Sequence, residues 1–193
     1  YPEGTIVSTG LSKWCGAGGW RLGFFAIPSS LKELKNSLKV LCSESFTSVS
    51  APIQYAAVEA YKGNHSSYLN AVKKILYFTG NYVYENLKSN VINVNKPEGG
   101  FYLFPEFINS KFSSSAEMCE DILDKTGVAL LPGSDFGLEN GKMLARLSYT
   151  DFDGLNFLKN TMSRKKLDKA DLEKYAPNIV NGVAALKDWS KSL

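Results

Sequence analysis

The stretch SKWCGAGGWRLG, residues 12–23, decides how this chain is interpreted. A β-rich run at residues 5–9 leads into Lys13, and a glycine-rich turn follows. Eight positions after the lysine, Arg21 opens a second apolar run. A lysine and an arginine held at two strand ends by a compact turn can face one small anionic ligand. Lysine supplies a nucleophilic amine, and arginine supplies a planar donor fork that fits phosphate.

The segments around Lys13 and Arg21, GLSK and WRLG, resemble the Schiff-base segment of the class I/II aminotransferases, the fold-type-I pyridoxal phosphate enzymes. Three further segments resemble this family in the same order. They are PEGGFY at 97–102, LLPG at 130–133 with FG at 136–137, and ARLSY at 145–149. The resemblance extends from about Tyr1 to about Ser163. It implies an α/β fold, with the C-terminal part of the large domain followed by an α/β small domain.

The resemblance also assigns roles to three residues. Lys13 is expected to form a Schiff base with pyridoxal 5'-phosphate, and Arg21 to bind the cofactor phosphate. Arg146, between apolar neighbours on a predicted strand, is expected to bind the substrate α-carboxylate. The alternatives are a solvated surface lysine, an arginine ion-paired at a sheet edge and a buried arginine paired with a structural carboxylate. Many relatives have serine three residues before the lysine, where this chain has Gly10.

The resemblance further implies that the chain is a fragment, the C-terminal half of a longer protein, because relatives carry about as much chain again upstream. Residues 1–65 are then a remnant of the large, cofactor-binding domain. Residues 66–163 form the interdomain helix and the small domain, and residues 164–193 a helical tail. The aspartate that partners the pyridine nitrogen in this family lies upstream. The fragment alone is therefore expected to be inactive, and the full-length protein to be a homodimer.

The implied reaction moves an amino group between an amino acid and a 2-oxo acid. Two alternatives stay open: a pyridoxal phosphate-dependent lyase of the same fold, and a non-catalytic truncated module. Aspartate-specific relatives place a second arginine in the loop before the helix that resembles Ala51–Tyr61. The corresponding stretch here, Cys42–Ile53, contains no basic residue, which favours a neutral or aromatic amino acid.

Composition restricts the class of protein without identifying it. Hydrophobic residues make up 44% and charged residues 21% of 193 residues, which is ordinary for a globular protein. The net charge of +3 does not suggest a nucleic-acid partner, and no apolar run has the length of a membrane helix. Three widely spaced cysteines indicate reduced thiols and a cytoplasmic location. A single histidine leaves no ligand cluster for a metal.

Hydrophobic periodicity predicts the elements. Strands are expected at residues 4–9 and 20–27, and helices at Leu31–Leu41, Ala51–Tyr61 (buried) and from Ser66 to about Lys88, with a loop at Cys42–Val49. In the small domain we expect four strands and two helices: strands at Val91–Asn93, Gly100–Phe104, Val128–Leu131 and Met143–Tyr149, and helices at Ala116–Lys125 and Leu155–Arg164. The tail carries an apolar stripe that predicts a docked helix: Ile179, Val183, Leu186, Trp189 and Leu193.

Overall fold

A computed structural model describes residues 1–108, 110–163 and 166–193. The predicted helix end at Arg164 lies outside the described residues. The chain divides into two compact units, Tyr1–His65 and Ser66–Leu193. That these units are a large-domain remnant and a small domain with its tail remains a prediction. No helix in the described ranges is long and apolar enough to cross a membrane.

The first unit is built on an antiparallel hairpin of β1 (Val7–Gly10) and β2 (Gly23–Ala26). Both strands are shorter than predicted, because short 3-10 turns occupy Pro2–Gly4 and Gly18–Trp20. Proline has no N–H to give to a strand ladder, and paired glycines favour a turn. The twelve residues between the strands, 11–22, therefore form one loop.

Two helices follow the hairpin, α1 (Lys32–Ser45) and α2 (Ala51–Lys62). The predicted loop at Cys42–Val49 is wrong at its start, because α1 continues to Ser45. The helix ends where Thr47 takes a positive φ of 66° and donates its N–H to the Cys42 carbonyl at 3.0 Å. The predicted burial of α2 is also wrong.

Only Ala57 of α2 is buried, while the side chain of Tyr55 is 78% exposed. Composition suggested burial because α2 is rich in alanine and aromatic residues. Burial needs a second apolar surface to pack on, and a two-stranded ribbon offers little of it.

In its described residues, 66–108, 110–163 and 166–193, the second unit combines five α-helices with two small antiparallel sheets, which confirms the predicted α/β class. Its helices are α3 (Ser66–Leu87), α4 (Ser115–Thr126), α5 (Gly154–Ser163), α6 (Lys169–Tyr175) and α7 (Pro177–Ser190). Its strands are β3 (Ile92–Asn93), β4 (Tyr102–Leu103), β5 (Glu106–Phe107), β6 (Leu131–Pro132) and β7 (Ala145–Ser148). The strand β5, which pairs with β3, was not predicted. The other sheet has the order β4-β7-β6.

The core of the second unit lies between its helices and sheets, and α7 contributes to it. The side chains of Ile179, Val183 and Leu186 are buried there. Trp189 is 6% exposed, packs against Phe107 and Phe112, and donates its indole N–H to Asp121 at 2.8 Å. The apolar stripe of the tail is therefore part of the core of this unit.

Candidate active site

The loop at residues 11–22 brings the two cofactor-binding candidates to one end of the hairpin. Gly10 pairs with Gly23 as the last pair of the ladder, and Leu11 extends it by donating its N–H to the Leu22 carbonyl at 3.1 Å. Leu11 is fully buried and accepts a hydrogen bond from the N–H of Ala17 at 3.1 Å. The loop is thus folded back on its own base, with Lys13 and Arg21 near its two ends.

Both candidate side chains in this loop are exposed to solvent. Arg21 takes the left-handed conformation with φ of 53°, which non-glycine residues adopt at a cost of about 1–3 kcal/mol. Its backbone N–H and its Nη1 both donate to the carbonyl of Gly18, at 3.4 and 2.9 Å. These bonds anchor one side of the guanidinium to the turn. The remaining donors are available to an anion.

This donor set fits pyridoxal phosphate. The cofactor needs an amine for its aldehyde and a cation for its phosphate, and this one loop carries a group of each kind, Lys13 and Arg21. The turn between them is open, since a Cβ added at Gly19 would meet nothing within 4 Å. The exposure of both groups leaves room for a ligand to reach them.

Trp14 is a residue that the sequence interpretation passed over. Its ring lies 5.7 Å from that of Tyr61 and 6.1 Å from that of His65, centroid to centroid. Tyr61 also contacts Phe24 of β2 edge-on at 5.2 Å. Trp14 therefore ties the loop that carries Lys13 to the end of α2. Its position next to the lysine was the available signal, but a lone tryptophan does not reveal its contact.

The structure gives a steric reason for the glycine that replaces the serine of many relatives. A Cβ at Gly10 would lie 2.9 Å from the backbone oxygen of Leu22, and a Cβ at Gly23 would lie 2.9 Å from that of Thr9. Both contacts are shorter than real Cβ atoms make, and backbone cannot easily move aside. Position 10 therefore cannot carry a phosphate-binding hydroxyl without a shift of the hairpin.

The third candidate, Arg146, lies in the second unit, in the middle strand of the β4-β7-β6 sheet. It is half-buried, so the expected burial was overstated. Its guanidinium carbon lies 4.5 Å from the ring centre of Tyr102 and 4.7 Å from that of Phe136. Among residues 1–108, 110–163 and 166–193, the ion pairs do not include Arg146. The alternative of a structural carboxylate partner has no support in the described part of the chain.

Tyr149 packs in the interior of the second unit. It is 2% exposed, its hydroxyl donates to the carbonyl of Gly100 at 3.1 Å, and burial raises its pKa. Its ring also occupies the space beside Gly80, where an added Cβ would lie 2.9 Å from it. Gly100 has a φ of +70°, which favours glycine. Tyr149 thus fixes the turn that enters β4 against α3.

Cys119 is not an evident nucleophile. Burial, with a smaller contribution from Asp135, raises the pKa of the Cys119 thiol to about 11. A thiol with that pKa is protonated at neutral pH and is a poor nucleophile. Cys15, two residues after the candidate lysine, is half-buried and is not in a disulfide.

The fold corresponds to that of the fold-type-I aminotransferases. A sequence profile of the aminotransferase class I and II family matches residues 1–175. The chain belongs to this family, whose members use pyridoxal phosphate.

Individual relatives agree with this assignment. The aspartate aminotransferase of Bacillus sp. (strain YM-2) is 32% identical over 165 residues, which is 83% of this chain and 40% of that protein. The alanine aminotransferase of Pyrococcus furiosus matches 97% of this chain and 42% of its own, with a TM-score of 0.74 and 26% identity. The aromatic aminotransferase of Pyrococcus horikoshii OT3 matches 84% of this chain and 42% of its own, with a TM-score of 0.68 and 31% identity. The chain spans less than half the length of each of these relatives.

Proposed function

We propose that this chain is the part of a pyridoxal phosphate-dependent aminotransferase that carries the cofactor-binding lysine. Lys13 forms a Schiff base with the cofactor aldehyde, Arg21 binds its phosphate, and Arg146 binds the α-carboxylate of the amino acid. The observation that carries the proposal is the single loop at residues 11–22, which holds an exposed amine and an anchored guanidinium at one end of a hairpin. Family membership supports the reaction class.

Lys13 has two tasks in this proposal. As a neutral amine it is the nucleophile that holds the cofactor. With pyridoxal phosphate and substrate bound, the Nζ of Lys13 would also accept the proton from the substrate Cα and return it at the end of the transfer. Bound pyridoxal phosphate supplies an electron sink for the charge left on Cα. A flexible side chain on an exposed loop suits a group that must both bind and release.

The two arginines orient the reactants. Arg21 presents donors to the phosphate from a turn that its own bonds to Gly18 hold in place. Arg146 presents a planar fork to the carboxylate, and a bidentate pair fixes orientation as well as distance. A fixed carboxylate also fixes the direction of the Cα–H bond, which is the positioning component of catalysis.

The substrate and the assembly are part of the same proposal. The stretch Cys42–Ile53 has no basic residue to receive a second carboxylate, which favours a neutral or aromatic amino acid over aspartate. The relatives are named aspartate, alanine and aromatic aminotransferases. The family therefore includes enzymes named for acidic, neutral and aromatic amino acids. We propose that the complete enzyme is a cytoplasmic homodimer. We also propose that residues 1–193 alone, without the upstream aspartate that partners the pyridine nitrogen, do not turn over.

Amino-group transfer tests the function. The 193-residue chain is compared with a longer protein. In the longer protein, the N-terminal part of the large domain of a family member is joined in front of this chain. Each is given pyridoxal phosphate, 2-oxoglutarate and L-alanine, L-phenylalanine or L-aspartate. We expect glutamate formation by the longer protein, fastest with a neutral or aromatic donor, and none by the chain alone. Consumption of many equivalents of the amino acid per protein in the absence of 2-oxoglutarate would contradict the transferase and favour a lyase.

A further inference from the structure

The guanidinium of Arg146 is held by aromatic rings where an ion pair would be the usual arrangement. Its central carbon lies 4.5 Å from the ring centre of Tyr102 and 4.7 Å from that of Phe136, both within cation–π range. We call Tyr102 and Phe136 the aromatic clamp. A cation over a ring prefers the ring face, so each contact restricts the plane of the guanidinium.

The sheet and one short turn build the clamp. Tyr102 of β4 pairs with Ser148 of β7, and Arg146 lies two residues before Ser148 on the same face of β7. Tyr102 and Arg146 are thus diagonal neighbours, a separation that aromatic and long side chains can span. Phe136 ends the 3-10 turn Gly133–Phe136, which follows directly on β6. The register of β6 places Leu131 opposite Arg146. Tyr102 therefore comes from a strand paired with β7, and Phe136 from the turn that follows the other strand paired with β7.

Neighbouring rings support both members of the clamp. The ring of Phe101 lies 4.4 Å from that of Tyr102, and the ring of Phe104 contacts that of Phe136 edge-on at 5.6 Å. Yet Tyr102 is 36% and Phe136 43% exposed, so neither ring is a core residue. Both rings are partly exposed, are supported by a second ring and contact the guanidinium. These contacts fit a role in holding Arg146.

The positive charge of Arg146 is not neutralised by a carboxylate of the described residues. Arg146 is in none of the ion pairs among those residues, and the two rings of the clamp are uncharged. A guanidinium that stacks on a ring turns its face to that ring, whereas its five N–H donors lie in its plane. Stacking on the clamp would therefore fix the plane and keep the donors that a carboxylate needs.

We propose that Tyr102 and Phe136 are positioning residues that fix the plane of the Arg146 guanidinium and thereby the orientation of a bound carboxylate. The proposal rests on the carboxylate-binding role proposed above for Arg146. It assigns a function to two aromatic residues that sequence patterns alone would count as packing.

Arginine side-chain NMR tests the clamp in the 193-residue chain. The sequence contains Arg21, Arg146 and Arg164 as its arginines, so an Arg146→Lys variant identifies the Nε–H signal of Arg146. We expect that signal to be displaced by ring currents and to show restricted motion. Tyr102→Leu and Phe136→Leu should each move it toward the position of the exposed Arg21 signal. Tyr102→Phe keeps the ring and should therefore leave the Arg146 signal at its position in the unsubstituted chain.

The control is Tyr77→Leu, which removes a ring that is 67% exposed on α3 and should leave the Arg146 signal in place. Far-ultraviolet circular dichroism checks that each variant is folded, and Tyr102→Phe keeps the test valid if a leucine variant unfolds. An Arg146 signal that is unchanged in both leucine variants, or as mobile as that of Arg21 in the parent, would overturn the proposal.

Acetate tests whether the clamp serves a carboxylate. Titration against chloride at equal ionic strength should move the Arg146 signal saturably, and Phe136→Leu should weaken binding about two- to fivefold. Tyr77→Leu should bind as the parent does. If acetate leaves the Arg146 signal unmoved, the proposal fails together with the carboxylate role. Cofactor labelling of Lys13 does not depend on either, so that failure is distinguishable from failure of the cofactor assignment.

Discussion

Replacing Lys13 by alanine should abolish Schiff-base formation with pyridoxal phosphate at this site. A neutral amine is the only group in the loop at residues 11–22 that can condense with the aldehyde, and Lys13 is the only lysine in it. The parent chain should develop the imine absorbance band, and borohydride reduction should fix the cofactor on Lys13. In Lys13→Ala we expect the band and the label to be lost. Peptide mapping of the reduced protein locates the label.

Two variants serve as controls for this result. Lys32→Ala removes an exposed lysine at the start of α1 and should leave the band unchanged. Lys13→Arg keeps the positive charge but not the nucleophile, so it should behave as Lys13→Ala. Label spread evenly over many lysines of the parent, or an undiminished band in Lys13→Ala, would show that Lys13 is not the cofactor lysine of this chain.

Trp189→Ala should destabilise the second unit by about 3–5 kcal/mol, the range for truncating a buried aromatic side chain. Trp189 is 6% exposed, its ring centre lies 5.6 Å from that of Phe107, and its indole donates to Asp121. The change removes packing and leaves a cavity between α7 and the sheet β3-β5. Urea unfolding followed by circular dichroism measures it. A loss below about 1 kcal/mol would mean that α7 is not part of the core.

The partner of Trp189 gives this contact a pH dependence. Hydrogen bonds from Lys125 and then from Trp189 lower the pKa of the Asp121 carboxyl. A lowered pKa in the folded state means that the carboxylate contributes stability above its unfolded pKa of about 3.9. That contribution is lost as the pH falls through the lowered native pKa. Asp121→Asn should therefore be less stable than the parent at neutral pH and approach it in acid.

The sequence predicted those elements that carry their own local signals. The hairpin followed from two apolar runs around a glycine-rich turn. The long helix α3, Ser66–Leu87, followed from apolar residues at helical spacing. The end of α1 was missed because Thr47 stops the helix by adopting a positive φ, which its residue type does not favour. The strand β5 was missed because two residues are too few to show a period.

The sequence likewise predicted part of the candidate site, and the rest depends on long-range contacts. Lys13 and Arg21 are close in sequence, and one motif contains both. The contact of Trp14 with Tyr61 joins residues far apart in the chain, and so does that of Arg146 with Tyr102. No local pattern encodes such contacts, because they arise only when the loop meets α2 and when β4 pairs with β7. The aromatic clamp therefore required coordinates.

The central claim is that Lys13 and Arg21 bind the same molecule, and the dependence of Lys13 labelling on the ligand phosphate tests it most directly. The measurement compares pyridoxal phosphate with pyridoxal, in the parent and in Arg21→Ala, by the concentration needed for half-maximal labelling of Lys13. A charge-assisted contact worth about 1.5–3 kcal/mol predicts a preference for the phosphorylated aldehyde of about tenfold or more in the parent. In Arg21→Ala that preference should disappear while labelling by pyridoxal is unchanged. An equal preference in both proteins would contradict the claim.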